Sequence, residues 1–170
     1  LTFTNKAAGE MKARVEQLIG EGTSLWIGTF HSMFARILRR DAERLGYDRN
    51  DTIYDTDDSE RVVKNILKEL PDTFQNLKPR QIRHKISRWK NDMRSPADVS
   101  AEGGNPLDAR IADIYERYVR TLKENNAMDF DDLITLPADL FRAAPDVLER
   151  YRSRFEHILI DEFQDTNRAQ

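Results

Sequence analysis

The 170-residue sequence has no cysteine. That excludes disulfides, cysteine-bound zinc and thiol catalysis, and it fits a reducing compartment. No apolar run approaches the roughly 18 to 20 residues of a membrane span, and the mean hydropathy is -0.72. The sequence contains no Gly-Lys pair, so the phosphate loop G-x-x-x-x-G-K-[ST] is missing and nothing in these residues cradles nucleotide β- and γ-phosphates. No G-x-S-x-G frames a nucleophilic serine. The three histidines, His31, His84 and His157, lie too far apart for a local zinc motif. The net charge is -3, so any affinity for nucleic acid must come from a local concentration of cations. There is neither an initiator Met nor a signal peptide. Leu1-Thr2-Phe3 already reads as the end of a strand, and the expectation is an internal piece of a longer chain.

What is present is 39% hydrophobic and 34% charged, enough for a modest core under a densely charged surface. Helical periodicity dominates. Ala7, Met11, Val15 and Leu18 mark one helix, capped by Thr4 or Asn5 and broken at Gly20-Glu21-Gly22. Leu25 to Phe30 reads as a buried strand. Met33, Phe34, Ile37, Leu38 and Leu45 form a second helical face, and Gly46 stands where a left-handed cap belongs. Residues 47 to 60 carry Asp48, Asp51, Asp55, Asp57, Asp58 and Glu60. They read as a solvated connection into a helix N-terminus, since calcium-loop spacing is missing. Helices follow over Val62–Leu70, from Pro79 to Met93, and over Leu107–Leu122. Ser95-Pro96 and Gly103-Gly104-Asn105-Pro106 bracket a loop. Phe130 starts a further helix that Pro137 is expected to kink, Pro145 opens another, and His157–Ile160 is the clearest strand. The ends are α/β and the middle, about 46 to 125, is all-helical. That order predicts a parallel sheet interrupted by a helical insertion.

Four segments carry candidate chemistry. Ile158-Leu159-Ile160 delivers Asp161 and Glu162 at the C-terminal end of a strand, the edge where open α/β sheets bind ligands. One such acid can hold Mg²⁺ while its neighbour activates a water. Gln164 follows, able to donate and accept, and Asp165 or Thr166 also reads as a helix cap. Thr2-Phe3-Thr4-Asn5-Lys6 sits at a strand-to-helix junction, with free N–H groups for phosphate and a ring for a base, or else a simple cap over a core Phe3. Gly28-Thr29-Phe30-His31-Ser32 is a second such junction. Finally, Lys78, Arg80, Arg83, Lys85, Arg88, Lys90 and Arg94 surround a single acid, Asp92. On a helical wheel Arg80, Arg83, Lys90 and Arg94 fall within about 80° of one another, on the side next to the apolar face of Ile82, Ile86, Trp89 and Met93. Such a stripe fits the backbone of DNA, or a solvated face without a partner.

Taken in order, these segments resemble superfamily 1 DNA helicases of the UvrD/PcrA/Rep type. Thr2–Ala8 is similar to motif Ia, Gly28–Ser32 to motif Ib, and Leu159–Gln170 to motif II, the Walker B box. Met128–Ile134 resembles the re-entry into the first motor domain, and Ile86–Asn91 with Pro96 the inserted subdomain 1B. The resemblance implies a partial P-loop-type parallel sheet, α/β in class but mostly helical by content. Residues 1–45 and 126–170 would be part of motor domain 1A, and 46–125 would be the 1B-like insertion. It implies a parent that is an ATP-dependent 3′-to-5′ helicase, with ATP and Mg²⁺ as cofactors. Asp161 would hold the metal, Glu162 would activate water and Gln164 would couple nucleotide state to neighbouring motifs. Phe3, Thr4, Asn5, Lys6, Thr29, Phe30 and His31 would contact single-stranded DNA, and Arg80, Arg83, Lys90 and Arg94 would lie near the duplex. Expected partners are single-stranded DNA, single/double-strand junctions and repair or replication proteins, in the cytoplasm. Without the phosphate loop these residues alone are expected to be inactive and to bind no cofactor. The competing reading is a non-catalytic DNA- or protein-binding module.

Overall fold

The computed structural model describes residues 1–22, 24–74 and 76–170. Its elements are α1 (Asn5–Ile19), α2 (Phe30–Asp41), β1 (Thr52–Tyr54), α3 (Thr56–Glu69), α4 (Pro79–Asn91), α5 (Pro96–Ala101), α6 (Pro106–Glu124), β2 (Ala127–Asp129), α7 (Phe130–Ala143) and α8 (Pro145–Arg154).

Local chemistry sets most of these boundaries. Helices α4, α5, α6 and α8 open on Pro79, Pro96, Pro106 and Pro145. Proline costs nothing there, because a first-turn N–H has no intrahelical acceptor. Thr4, Thr29, Asp55, Ser95, Asn105 and Asp129 each accept a backbone N–H at a helix start. Asp55 with Asp58, Ser95 with Asp98 and Asp129 with Asp132 close reciprocal capping boxes. The acids of residues 47 to 60 are therefore partly helix-start chemistry. After α2 a short tight turn, Ala42–Leu45, ends on Gly46 at φ 75°, a left-handed cap that glycine adopts without strain.

The buried side chains form two clusters. One joins Val63, Ile66 and Leu67 of α3, Ile82, Ile86 and Trp89 of α4, Val99 of α5, and Ile114, Tyr115 and Tyr118 of α6. The other joins Ile37 and Leu38 of α2 with Leu133 and Leu140 of α7 and Val147 and Tyr151 of α8. Each fully buried aliphatic side chain contributes about 1.5–3 kcal/mol. Between the clusters, β1 and β2 pair in parallel, Thr52 opposite Ala127 and Tyr54 opposite Asp129. Successive strand residues face opposite ways. Ala127 accordingly joins the first cluster and Met128 the second.

A second set of strand-like contacts lies at the chain ends. Thr2 bridges Thr29 in parallel, with Thr2 N donating to Gly28 O (3.0 Å) and Phe30 N to Thr2 O (3.2 Å). Leu1 N donates to Leu159 O at 2.6 Å, and Asp161 N donates to Leu1 O at 2.9 Å. That is the slanted bonding of a parallel pair. The order is thus 158–161, then 1–2, then 28–30, all running the same way.

The structure corrects several expectations. His157–Ile160, Leu25–Phe30 and Leu1–Phe3 do not form continuous strands; pairing is confined to the contacts just named. The apolar stretch before Asp161 is largely exposed: Ile158 is 67% and Leu159 82% exposed. A strand persists when a ladder and a covering layer hold it, and among the described residues only Leu1 pairs with the 158–161 segment. An apolar cleft of about 290 Å³, lined by Trp26, Phe34, Tyr151, Phe155, Ile158 and Leu159, opens beside it. The expected loop between Ser95 and Pro106 contains α5. Strands β1 and β2, absent from the sequence reading, are real. Met93 falls beyond α4 in a left-handed conformation, φ 57°.

Candidate nucleotide and nucleic-acid interface

Because the three end segments run parallel, the residues that follow them emerge at one rim. Thr4 starts α1 there, its hydroxyl accepting Ala7 N at 3.1 Å. Thr29 starts α2, accepting Ser32 N at 3.2 Å and donating to Ser32 Oγ at 3.1 Å. Gly28 leaves room just before it: a Cβ would meet Met33 Cε at 2.6 Å and Ser32 Oγ at 2.7 Å, so both side chains would have to shift. Among the described residues the Asn5 and Lys6 N–H groups of α1 and the His31 N–H of α2 have no acceptor, a favourable setting for phosphate oxygens. Phe3 is partly exposed, and Thr4, Asn5, Lys6 and His31 are exposed around it.

Two of the expected contacts take another role. Phe30 is only 1% exposed. Its ring lies 5.4 Å from Phe3 and 5.8 Å from Phe34, so it supports Phe3 from below and offers no free face of its own. Thr29 is buried, and its hydroxyl is used in capping. A residue outside the expected set joins the rim instead. Phe130, 48% exposed at the start of α7, meets His31 edge-on at 6.5 Å. Its sequence signal was an aromatic directly after the cap Asp129, where the apolar face of α7 does not need it.

Asp161, Glu162 and Gln164 are exposed at the same rim. Asp161 Oδ1 accepts Glu162 N at 3.1 Å. Glu162 adopts the left-handed conformation, φ 51° and ψ 43°, which costs a non-glycine residue about 1 kcal/mol or more. Gln164 Nε2 donates to Glu162 Oε2, and Asp165 N to Glu162 O at 2.9 Å. The chain thus turns sharply after Glu162 into the tight turn Phe163–Asp165. No cluster of three or more metal-ligating side chains exists among the described residues. Two adjacent carboxylates still suit Mg²⁺, which takes one or two from protein and the remaining ligands from phosphate and water.

The basic helix differs most from expectation. Lys90 is not on an exposed side; it is 6% exposed. Its Nζ lies 2.8 Å from Asp129 Oδ2 and 2.8 Å from Asp132 Oδ1, and Tyr118 OH donates to Asp129 Oδ2 at 2.8 Å. Burial opposes the Lys90 charge, but Asp132 and Asp129 outweigh it and hold the ammonium well above its usual range. Burial also pushes the two carboxyls up. At Asp129 the Lys90 charge prevails and the net shift is downward, while Asp132 is pushed up to about 6. One ammonium fully compensates only one of its two acids. The signal for this triad was Lys90 lying four residues after Ile86, at the border of the apolar arc, together with the capping pattern Asp129-x-x-Asp132. Arg83 faces Glu60 at 3.6 Å, and Arg94 is forked onto Glu102. Arg80 remains exposed, as do Lys78 and Arg88. Lys85, never assigned to the stripe, reaches Asp108 at 3.0 Å.

The family described as UvrD/REP helicase N-terminal domain matches residues 1–170. The chain belongs to this family. It is 47% identical to the ATP-dependent DNA helicase PcrA of Staphylococcus epidermidis RP62A, across all of this chain and 24% of that protein. It is 46% identical to the protein of the same name from Staphylococcus aureus Mu50, across all of this chain and 23% of that protein. The chain therefore spans about a quarter of the length of these curated relatives. For a UvrD/REP-type chain the rim just described gathers motif-like segments that are 160 residues apart in sequence. No helix of the described residues is long and apolar enough to cross a membrane.

Proposed function

We propose that these residues form the DNA-facing and magnesium-facing part of an ATP-dependent 3′-to-5′ DNA helicase. Residues 1–45 and 126–170 belong to the first motor domain in this reading, and 46–125 form the helical insertion. The observation that carries it is the common rim, where two capped helix N-termini, exposed aromatic rings and a pair of exposed carboxylates follow three parallel segments.

In this reading Asp161 holds Mg²⁺, Glu162 orients and deprotonates the attacking water, and Gln164 reports nucleotide state to neighbouring segments through its bond to Glu162. The metal would supply charge neutralisation at the phosphates. The phosphate loop must come from outside these 170 residues, so the isolated chain is expected to neither bind ATP usefully nor turn it over. Single-stranded DNA would track Phe3, Thr4, Asn5, Lys6 and His31, with Phe130 as an added stacking face and Thr29 and Phe30 as its support. Of the duplex-side cations, Arg80 stays available. Arg83 and Arg94 reach DNA only by exchanging Glu60 and Glu102 for phosphate, and Lys90 is withdrawn. Junction DNA, repair or replication proteins and a cytoplasmic setting complete the proposal.

The test is Glu162→Gln in the full-length protein. ATP turnover should fall by about 10²-fold or more while DNA affinity is retained, the expected cost of losing a general base. Unchanged turnover would overturn the assignment and favour a non-catalytic DNA- or protein-binding module.

A further inference from the structure

Helix α4 ends on two consecutive polar residues that do different work. Lys90 turns inward to the acid pair Asp129 and Asp132, which pins the end of α4 to β2 and α7. Asn91 turns toward the chain that follows the rim acids. Its Nδ2 donates to Ser87 O at 2.9 Å and to Asp131 Oδ1 at 2.9 Å. Its Oδ1 accepts Asn167 Nδ2 at 3.0 Å. Its backbone carbonyl accepts Ala169 N at 3.2 Å. The amide orientation is fixed by chemistry, since an ionised Asp131 can only accept and so must face the NH₂ group.

One side chain therefore joins the helical insertion, the start of α7 and the segment after the acids. From Asn167 the connection back to Glu162 is short and bonded at each step. Thr166 N and Oγ1 both donate to Phe163 O (3.1 and 2.7 Å), and Asp165 N donates to Glu162 O (2.9 Å). Asn167 and Gln170 lock the far end, each amide N–H reaching the other's side-chain oxygen at 3.1 and 2.9 Å. A displacement of the end of α4 has a direct route to the turn that sets Glu162.

We infer that Asn91 is a positioning residue, the strut through which the helical insertion sets the attitude of the Glu162 turn. A load on the insertion then reaches the hydrolytic acid without passing through the sheet. This rests on the motor reading above, and it adds a coupling element outside the family-like segments that contact nucleotide.

The experiment uses the full-length protein. Asn91→Ala should lower kcat for DNA-stimulated ATP hydrolysis about tenfold with KM for ATP unchanged. Amide hydrogen exchange over Thr166–Gln170 should quicken by a similar factor. Asn91→Asp should be worse, because it sets two carboxylates face to face. Combining Asn91→Asp with Asp131→Asn restores a donor between residues 91 and 131 and keeps the acceptor for Asn167, while still lacking the bond to Ser87 O, so both readouts should recover part of the loss relative to Asn91→Asp. Asn167→Ala cuts the same bond from the exposed side and should reproduce the kcat loss in a chain whose core is untouched. Wild-type exchange and kcat in Asn91→Ala, or a double variant no better than Asn91→Asp, overturns the strut. Wild-type protein without DNA-stimulated hydrolysis overturns the motor reading instead, and the exchange measurements then decide the strut by themselves.

Discussion

Two pairs of acids in this chain have the same chemistry and opposite fates. Asp129 and Asp132 lie at the seam between the two cores, buried and sharing Lys90, with the Tyr118 hydroxyl donating to Asp129. Asp161 and Glu162 lie at the rim, exposed, held by backbone and amide donors alone. The first pair is spent on holding elements together. The second keeps its negative charge available, and a strained Glu162 backbone marks where stability has been given up for placement. Adjacent carboxylates are thus no guide to function until their counter-charge is located.

The comparison can be broken most forcefully at Lys90. Lys90→Met should cost about 3–5 kcal/mol in urea unfolding, since it leaves two buried acids without their cation. A cost under 1 kcal/mol would show the seam to be no more demanding than the rim. Next comes pH. Asp132 is raised to about 6, above the roughly 3.9 of an unfolded aspartate. Its contribution is therefore full below about pH 4 and declines as pH rises through 6, by about 3 kcal/mol in all. Asp129 is lowered and works the other way, its share being lost as pH falls below 4. Asp132→Asn should flatten most of the decline between pH 4 and 6.5, Asp131 and Asp139 being raised in the same direction, and an unchanged unfolding profile would contradict the assignment. A smaller effect belongs to the cap of α3, where Asp55→Ala should lower the melting free energy by about 1 kcal/mol. Smallest of all, Asp161→Asn and Glu162→Gln should move stability by no more than about 0.5 kcal/mol, as uncommitted surface groups do. A large loss at either would place the rim acids among the structural ones.

Much of this arrangement is legible in the sequence, because it is local. Proline at helix starts, Gly46 at a helix end and the capping residues act within a few positions of themselves. The starts of α1 and α2 are legible too, since Thr4 and Thr29 each cap a helix directly after a segment of strand composition. What escaped depends on distant partners. Strands β1 and β2 are three residues each and acquire their form only by pairing across 75 positions. The run His157–Ile160 has strand composition without the neighbours that make composition count. Lys90 looked like one more cation in a basic helix; its two acids lie 39 and 42 residues downstream, beyond the reach of any helical wheel.

The alternation along β2 bears on how such a chain can change. Ala127 serves one core and Met128 the other, while Asp129 turns back to meet Lys90 and Tyr118. Inserting or deleting a single residue ahead of this stretch would send a methionine where an alanine fits and swing the Lys90 acceptor toward the opposite core. Length variation among descendants of this sequence should therefore collect in the turns around Gly103 and Pro71, and leave the spacing from Asn126 to Asp132 untouched.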